Sequence, residues 1–306
     1  LAELAKERTR AKKSIRLPWP AVDDAIGGGL RRGKVTCVAG HPGGGKSYLG
    51  LAFCFHASVQ GFRWIYLPLE DSQVEATRRM AAIVAEDWAM IEQDETNAER
   101  REASVKANLT AIAELSVSIR ENPRRPVIDA DTSKLTVPKL PYHSVCSWIG
   151  EQKGSVDLIV IDPVSQIDFR LGSEKEWDGQ DTFVRQVCAL AEDTGIHIVL
   201  VAHVKKRTSM EKAKGSLSMD DICGSSAFSK FVQNVILLER HDPRDSEVRI
   251  ENMEESSAHH KWTMHLDKSR DGKGAGTRFA MDLSHSPLFR CAGAIIPQSK
   301  TPWKGK

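Results

Sequence analysis

No stretch of this chain holds the ~18–20 consecutive apolar residues that cross a bilayer, and no secretory leader pattern opens it. Charge of one sign is also scarce in net terms. The 43 Lys and Arg against 41 Asp and Glu leave a formal net charge of +2. Global basicity therefore argues neither for nor against nucleic acid, and any basic surface must be local. The six cysteines (37, 54, 146, 188, 223 and 291) form no C-x-x-C pair, and Cys37, Cys54, Cys188 and Cys291 lie in apolar or mixed runs. They read as reduced core thiols rather than disulfides or zinc ligands. Internal repeats are absent too. What remains is an ordinary globular composition, 41% hydrophobic and 27% charged, with 306 residues to fill one large α/β domain or two modest ones.

Against this plain background one stretch is specific. Gly40-His41-Pro42-Gly43-Gly44-Gly45-Lys46-Ser47 satisfies G-x-x-x-x-G-K-[ST] at every required position. It follows an apolar strand-like run (Val35 to Ala39) and precedes a helix-like run (Tyr48 to Val59). The glycines let backbone N–H groups curl around phosphate oxygens, and the following helix adds its positive end. Lys46 is placed to reach the β/γ-phosphates and the Ser47 hydroxyl to bind Mg²⁺, with Tyr48 completing the nucleotide-contacting stretch. A glycine-rich turn matching by chance is the competing account, and the strand and helix on either side count against it.

Further apolar β-like runs recur at Trp64–Leu69, Val127–Ile128, Leu158–Ile161, Ile196–Ala202, Val235–Leu238, Trp262–Leu266 and Arg278–Leu283. Several are continuous rather than alternating, as in strands covered on both faces. Phe183, Val184, Val187, Leu190 and Ala191 share one helical face. Strand–helix alternation predicts a mostly parallel central sheet with helices on both faces, and the closely spaced last strands an antiparallel extension. Residues 72–122, rich in Glu, Arg and Ala, read as helices on the flank. The expected organisation is a basic linker helix at 1–14, an ATPase domain at 15–292, and a flexible tail at 293–306 with Pro297, Pro302 and three lysines.

Carboxylates and cations sit where such a sheet keeps its chemistry. Asp162 ends the run Leu158–Ile161, and at the carboxyl end of a parallel strand it would face the nucleotide crevice and hold Mg²⁺. Glu70 ends the strand after the phosphate loop and is the candidate general base. Asp71 beside it competes, and a cap for the helix beginning near Ser72 is the bland account of both. His203 ends the run Ile198–Ala202 and is a candidate sensor of the γ-phosphate. The polar stretch that follows, Val204 to Asp221, carries Lys205, Lys206, Arg207, Lys212 and Lys214, which suits contacts to a nucleic-acid backbone or merely a solvated loop. No aromatic residue lies there before Phe228, so backbone tracking is expected rather than base stacking. Lys268 and Arg270 point to one side of an extended segment. On the residues alone, a charged hairpin turn at Asp271-Gly272 accounts for them best.

These pieces, in this order, resemble the RecA-like motor of DnaB-type replicative ring helicases, in motif wording the phage primase-helicases and the mitochondrial helicase Twinkle above all. The resemblance runs from about Pro18 to Phe289 through the glycine-rich entry Gly27 to Gly33, the phosphate loop, Glu70, LIVIDPVSQ, VAHVKK, GSSA followed by NVILLER, and KSRDGKGAGT. It implies an ATP- and Mg²⁺-dependent, ring-forming helicase, a hexamer moving 5′→3′ on single-stranded DNA. In it Glu70 is the catalytic glutamate, His203 the γ-phosphate sensor, and Lys205 to Ser226, including Gly224 and Ser225, the DNA-facing loop. Arg270 with Lys268 becomes a finger pair acting on the next subunit, which reverses the hairpin account. It also implies that the 1–14 helix packs on the adjacent subunit, that a primase or helicase loader is a partner, and that the setting is the cytoplasm of a bacterial or phage-infected cell, or an organellar matrix. One departure is plain: Cys223 and Gly224 stand where the family carries an Arg-Glu pair. Two other readings stay open, a RecA- or RadA-like recombination ATPase and a nucleotide-switched scaffold of the clock-protein type.

Overall fold

A computed structural model describes residues 14–91, 97–128, 134–170, 176–206, 216–224, 226–240, 247–248, 258–259 and 261–295. A short helix α1 (Pro20–Ala25) leads into β1 (Val35–Gly40), α2 (Lys46–Val59), β2 (Trp64–Pro68), α3 (Gln73–Ala85) and α4 (Ala98–Ser116). Then come α5 (Tyr142–Glu151), β3 (Leu158–Asp162), α6 (Glu176–Thr194), β4 (His197–His203), α7 (Ala227–Lys230) and β5 (Asn234–Arg240). The chain closes with β6 (Trp262–Ser269), β7 (Thr277–Asp282) and β8 (Arg290–Ala294).

These strands form one eight-stranded sheet in the order β8-β7-β6-β5-β1-β4-β3-β2. From β5 to β2 the neighbours pair in parallel. Strands β6, β7 and β8 extend the sheet antiparallel, as the closely spaced last runs predict. Every residue of β1, β2 and β3 is buried, which is why those runs read as continuously apolar. Because successive residues face opposite ways, the strands feed two cores. Val38, Val160 and Val201 pack with Leu49 and Phe53 of α2. Cys37, Ile159 and Leu200 pack with Val145 of α5 and with Phe183, Val187 and Ala191 of α6.

The first described residues belong to this domain. Ile15 exchanges backbone hydrogen bonds with Leu30 at 3.0 and 2.8 Å. Trp19 packs edge-on against Phe53 and Phe289, and its indole N–H donates to the Phe289 carbonyl at 2.7 Å. Burying an aromatic of that size stabilises by about 2–3 kcal/mol, and here it ties the entry segment to the approach of the last strand. Residues 1–13 of the expected linker helix and 296–306 of the expected tail lie outside the described residues. Strand β8 runs to Ala294, past the tail boundary expected at 292.

Two local features differ from the sequence expectation. Val127–Ile128 pairs with Leu135–Thr136 in a separate exposed ribbon rather than in the main sheet. Strand β8 (RCAGA) escapes an apolar reading because none of its residues is fully buried. On the flank, α3 and α4 occupy the expected helical region, yet α4 buries none of its 19 residues. After α4, Ser118 to Arg120 run beside the outermost strand: Tyr66 N donates to the Ser118 carbonyl at 3.0 Å and Arg120 N to the Tyr66 carbonyl at 2.9 Å. An otherwise open sheet edge is thereby covered.

Candidate nucleotide-binding site

The turn between β1 and α2 is possible only with glycine. Gly43 and Gly45 take φ of +70° and +88°, the left-handed region that side chains resist, and a Cβ on Gly40 would run into the Leu238 carbonyl oxygen. Gly45 caps α2 with no side chain bonded across the helix start. The first-turn N–H groups are thus left for an anion, and the helix dipole favours negative charge there.

Lys46, the first residue of α2, is buried and its Nζ donates to the His41 carbonyl at 2.7 Å. Burial holds its pKa below the ordinary lysine range, while the charges of Asp162 and Glu70 oppose that shift. Asp162, at the carboxyl end of β3, is also buried and accepts hydrogen bonds from the Tyr66 hydroxyl and from Ser47. Burial raises its pKa, against those two bonds and the Lys46 charge. A desolvated carboxylate joined to a hydroxyl is a fitting donor pair for Mg²⁺, which takes few protein oxygens and completes its shell with phosphate and water. The described residues contain no cluster of three or more His, Cys, Asp or Glu that would form an all-protein metal cage.

Around these groups lies a cleft of 480 Å³ lined by the loop from Pro42 to Tyr48 and by Glu70, Asp71, Asp162 and His203. The volume suits a nucleotide-sized ligand. Glu70 and Asp71 are separated by their partners. Arg79 of α3 forms an ion pair with Asp71, including an Nη2–Oδ1 contact of 3.3 Å. Glu70 is more exposed, and its Oε2 lies 3.8 Å from His203 Nε2. Neither acid caps α3, because Ser72 does so in a reciprocal box with Glu75: Glu75 N donates to Ser72 Oγ at 3.2 Å and Ser72 N to Glu75 Oε2 at 3.0 Å.

His203 ends β4 opposite Gly40 in the register. Burial, then the nearby Lys46 charge, lowers its pKa, against the pull of Glu70 and Asp162. The ring is therefore neutral at pH 7. Its carbonyl accepts from Cys223 N at 2.8 Å, Lys205 N donates to the Asp221 carbonyl at 2.7 Å, and Val204 bridges Ile222. The far end of the basic connection is thus bonded to the histidine's own carbonyl, and its two ends are joined to each other just beyond. Lys205 and Lys206 are exposed at its start and Gly224 at its end. Arg207, Lys212, Lys214 and Ser225 lie outside the described residues.

Lys268 and Arg270 are held elsewhere. In the register Ser269 faces Asn234, whereas Leu238 faces Gly40. Four strand residues, about 13 Å at the usual rise, thus separate the pair from its own chain's phosphate loop. Lys268 Nζ donates to the Lys230 carbonyl at 3.0 Å and Arg270 Nη2 donates to the same oxygen. Burial and the adjacent guanidinium push the Lys268 pKa down to about 8.

Several cleft residues carry no sequence signal of their own. Arg79 lies within 6.0 Å of the Tyr48 ring, and Trp88 packs edge-on against that ring at 5.3 Å. Arg240, the last residue of β5, stacks over Trp262 at 5.4 Å, and both line the cleft with Leu283. The motif NVILLER ends in Arg240, and that was the only pointer to it in the sequence.

Solved structures share this architecture. The ATPase domain of G40P superposes with a TM-score of 0.69 at 15% identity, covering 94% of this chain and 95% of that one. A DnaB-like replicative helicase, described with its interactions with primase, gives the same TM-score and identity, but the chain spans only 65% of its length. The KaiC-like protein PH0186 from Pyrococcus horikoshii OT3 gives 0.54 at 16% identity, over 91% of this chain and 98% of that one. No curated protein sequence matches the chain. The likenesses show the fold, a RecA-like P-loop architecture of mostly parallel strands with an antiparallel extension. The AAA domain model AAA_25 matches residues 3–209, well over half of the sequence, and the chain belongs to that family.

Proposed function

We propose that this chain is the motor of a ring-forming DNA helicase, which hydrolyses ATP between adjacent copies and moves along single-stranded DNA. The observation that carries the proposal is the division of machinery between the two ends of one sheet. Lys46, Ser47, Glu70, Asp162 and His203 share a cleft, while Lys268 and Arg270 sit at the other end of the strands. A cation pair so placed serves a phosphate bound by a neighbour.

On this reading Lys46 leaves the His41 carbonyl to hold the β/γ-phosphates. Glu70, the acid not engaged by an arginine, takes the proton from the water that attacks the γ-phosphorus. The bond from that phosphorus to the bridging oxygen breaks, giving ADP and phosphate. Mg²⁺ held by Ser47 and Asp162 would neutralise charge on the β- and γ-oxygens. Arg240, Trp262 and Leu283 form the wall that takes the base, and Tyr48 lies along the same cleft. Lys268 and Arg270 of the next copy stabilise charge on the transferring group. His203 responds to the γ-phosphate side and passes its shift through Cys223 to the loop carrying Lys205, Lys206 and Gly224. A primase-type partner is proposed by analogy with the DnaB-like replicative helicase described with its interactions with primase, and a hexameric ring moving 5′→3′ rests on the motif resemblance.

The test is ATP turnover with and without single-stranded DNA, measured alongside oligomer mass. Stimulation by DNA in an assembled ring is expected. Turnover indifferent to DNA would overturn the helicase reading and favour a nucleotide-timed regulator. Filaments in place of rings would favour a recombination ATPase.

A further inference from the structure

His203 lines two cavities. One is the nucleotide cleft, and the other is a hollow of 300 Å³ beside the loop at Cys223 and Gly224. Its walls are Val164, Phe169 and Phe228, with Trp177 from the first turn of α6 at the rim, 62% exposed. A tryptophan so open adds little to the core, and its indole offers a flat face on which a base can stack. Polar groups are few and particular. Ser165 Oγ and His203 Nδ1 are buried without a hydrogen-bond partner among the described residues, and Gln180 also lines the hollow. At the mouth, the acid Glu176 is opposed by Arg170 at 3.5 Å, and Lys139 stands on the same wall. Lys205 and Lys206 follow His203 after Val204.

We propose that this hollow is a nucleobase subsite, in which Trp177 stacks on one base of single-stranded nucleic acid while Gln180 meets its polar edge. The proposal rests on the nucleic-acid reading above and deepens it. A base has a π-face for the tryptophan, a polar rim for the Gln180 amide, and a phosphate that the neighbouring lysines attract. An apolar peptide would use the walls but leave the cations unanswered. Base contact enters here through α6, not through the basic loop, which is why the loop's own sequence gives no sign of it. Since His203 is common to both cavities, a seated base bears directly on the residue that faces Glu70.

The experiment compares two labelled strands of equal length, oligo(dT) and an abasic phosphodeoxyribose strand, binding to the full chain with nucleotide at low salt. Wild type is expected to bind oligo(dT) about tenfold more tightly than the abasic strand. Trp177→Phe should keep most of that preference. Trp177→Ala should bring the two strands to near-equal affinity, with abasic binding unchanged and a thermal midpoint matching wild type. Equal binding of both strands by wild type, or a preference that survives Trp177→Ala, overturns the subsite and leaves backbone binding intact. If neither strand binds wild type, the nucleic-acid reading itself falls, and the subsite with it.

Discussion

His197 shows how a single buried ring makes stability depend on pH. At the start of β4, its Nδ1 lies 2.6 Å from the Arg31 carbonyl and its Nε2 3.1 Å from Thr36 Oγ1. Burial pushes its pKa down to about 4, against an ordinary value near 6.5. The folded state thus binds fewer protons than the unfolded chain between those two values, so stability is complete above about pH 6.5 and falls as the pH drops toward 4. By pH 5 the loss attributable to this ring should be about 2 kcal/mol. Urea unfolding at pH 7 and pH 5 measures it. His197→Gln should be less stable at pH 7 yet lose less on acidification, and an unchanged pH dependence in that variant would contradict the assignment. The cleft offers a second residue-scale contrast. Glu70→Gln should lower ATP turnover by about 10²–10⁴ while nucleotide still binds. If Asp71→Asn causes that loss and Glu70→Gln does not, the base is the acid paired with Arg79 and the two roles are exchanged.

Among the elements, the connection from β4 to α7 joins the two halves of the proposed cycle. Its described ends are clamped through Cys223 N to the His203 carbonyl and Lys205 N to the Asp221 carbonyl. Met219 N adds a bond to Asp267 Oδ2 of β6 at 2.7 Å. In the proposed cycle a segment so anchored shifts with His203 and carries its exposed lysines with it. Replacing Lys205 and Lys206 by alanine should weaken DNA binding and reduce the log–log salt slope by roughly 1 to 2, the amount for two lost phosphate contacts. A slope equal to wild type would mean that these lysines are only solvated. The element scale also marks what could be read from the sequence. Asp162, Glu70 and His203 each stand at the tip of an apolar run and Lys46 lies in the G-x-x-x-x-G-K-[ST] motif, so one-dimensional pattern and the rule that parallel sheets bind ligands at their carboxyl ends suffice to place these candidates in one cleft. The Tyr66–Asp162 bond, the Arg79–Asp71 pair and the stack of Arg240 on Trp262 join residues from separate elements. Strand periodicity says which face Tyr66 occupies but not which carboxylate it meets. Trp177 escaped for the same reason, since it reaches the loop's neighbourhood from another helix.

At the scale of the whole molecule, the proposed phosphate-binding groups and the proposed finger pair stand at opposite ends of one sheet. Lys46, Asp162 and His203 occupy the carboxyl ends of the parallel strands, and Lys268 with Arg270 is drawn to the Lys230 carbonyl beyond their amino ends. A head-to-tail interface brings unlike ends together and closes into a ring when the rotation per copy allows. Such an assembly can be tested by complementation. Lys46→Ala removes the phosphate contact from a chain's own cleft and leaves Arg270 for its neighbour, while Arg270→Ala does the reverse. Each variant alone should show almost no turnover, with Arg270→Ala still binding nucleotide. Mixed before assembly in equal amounts, the two should regain activity, because random placement makes about a quarter of the interfaces combine an intact Lys46 with an intact Arg270. If Arg270 served its own chain's cleft, no mixture would contain an intact site. Absence of recovery in rings shown by mass to be mixed would therefore place the finger in cis, against the separation that the strand register imposes.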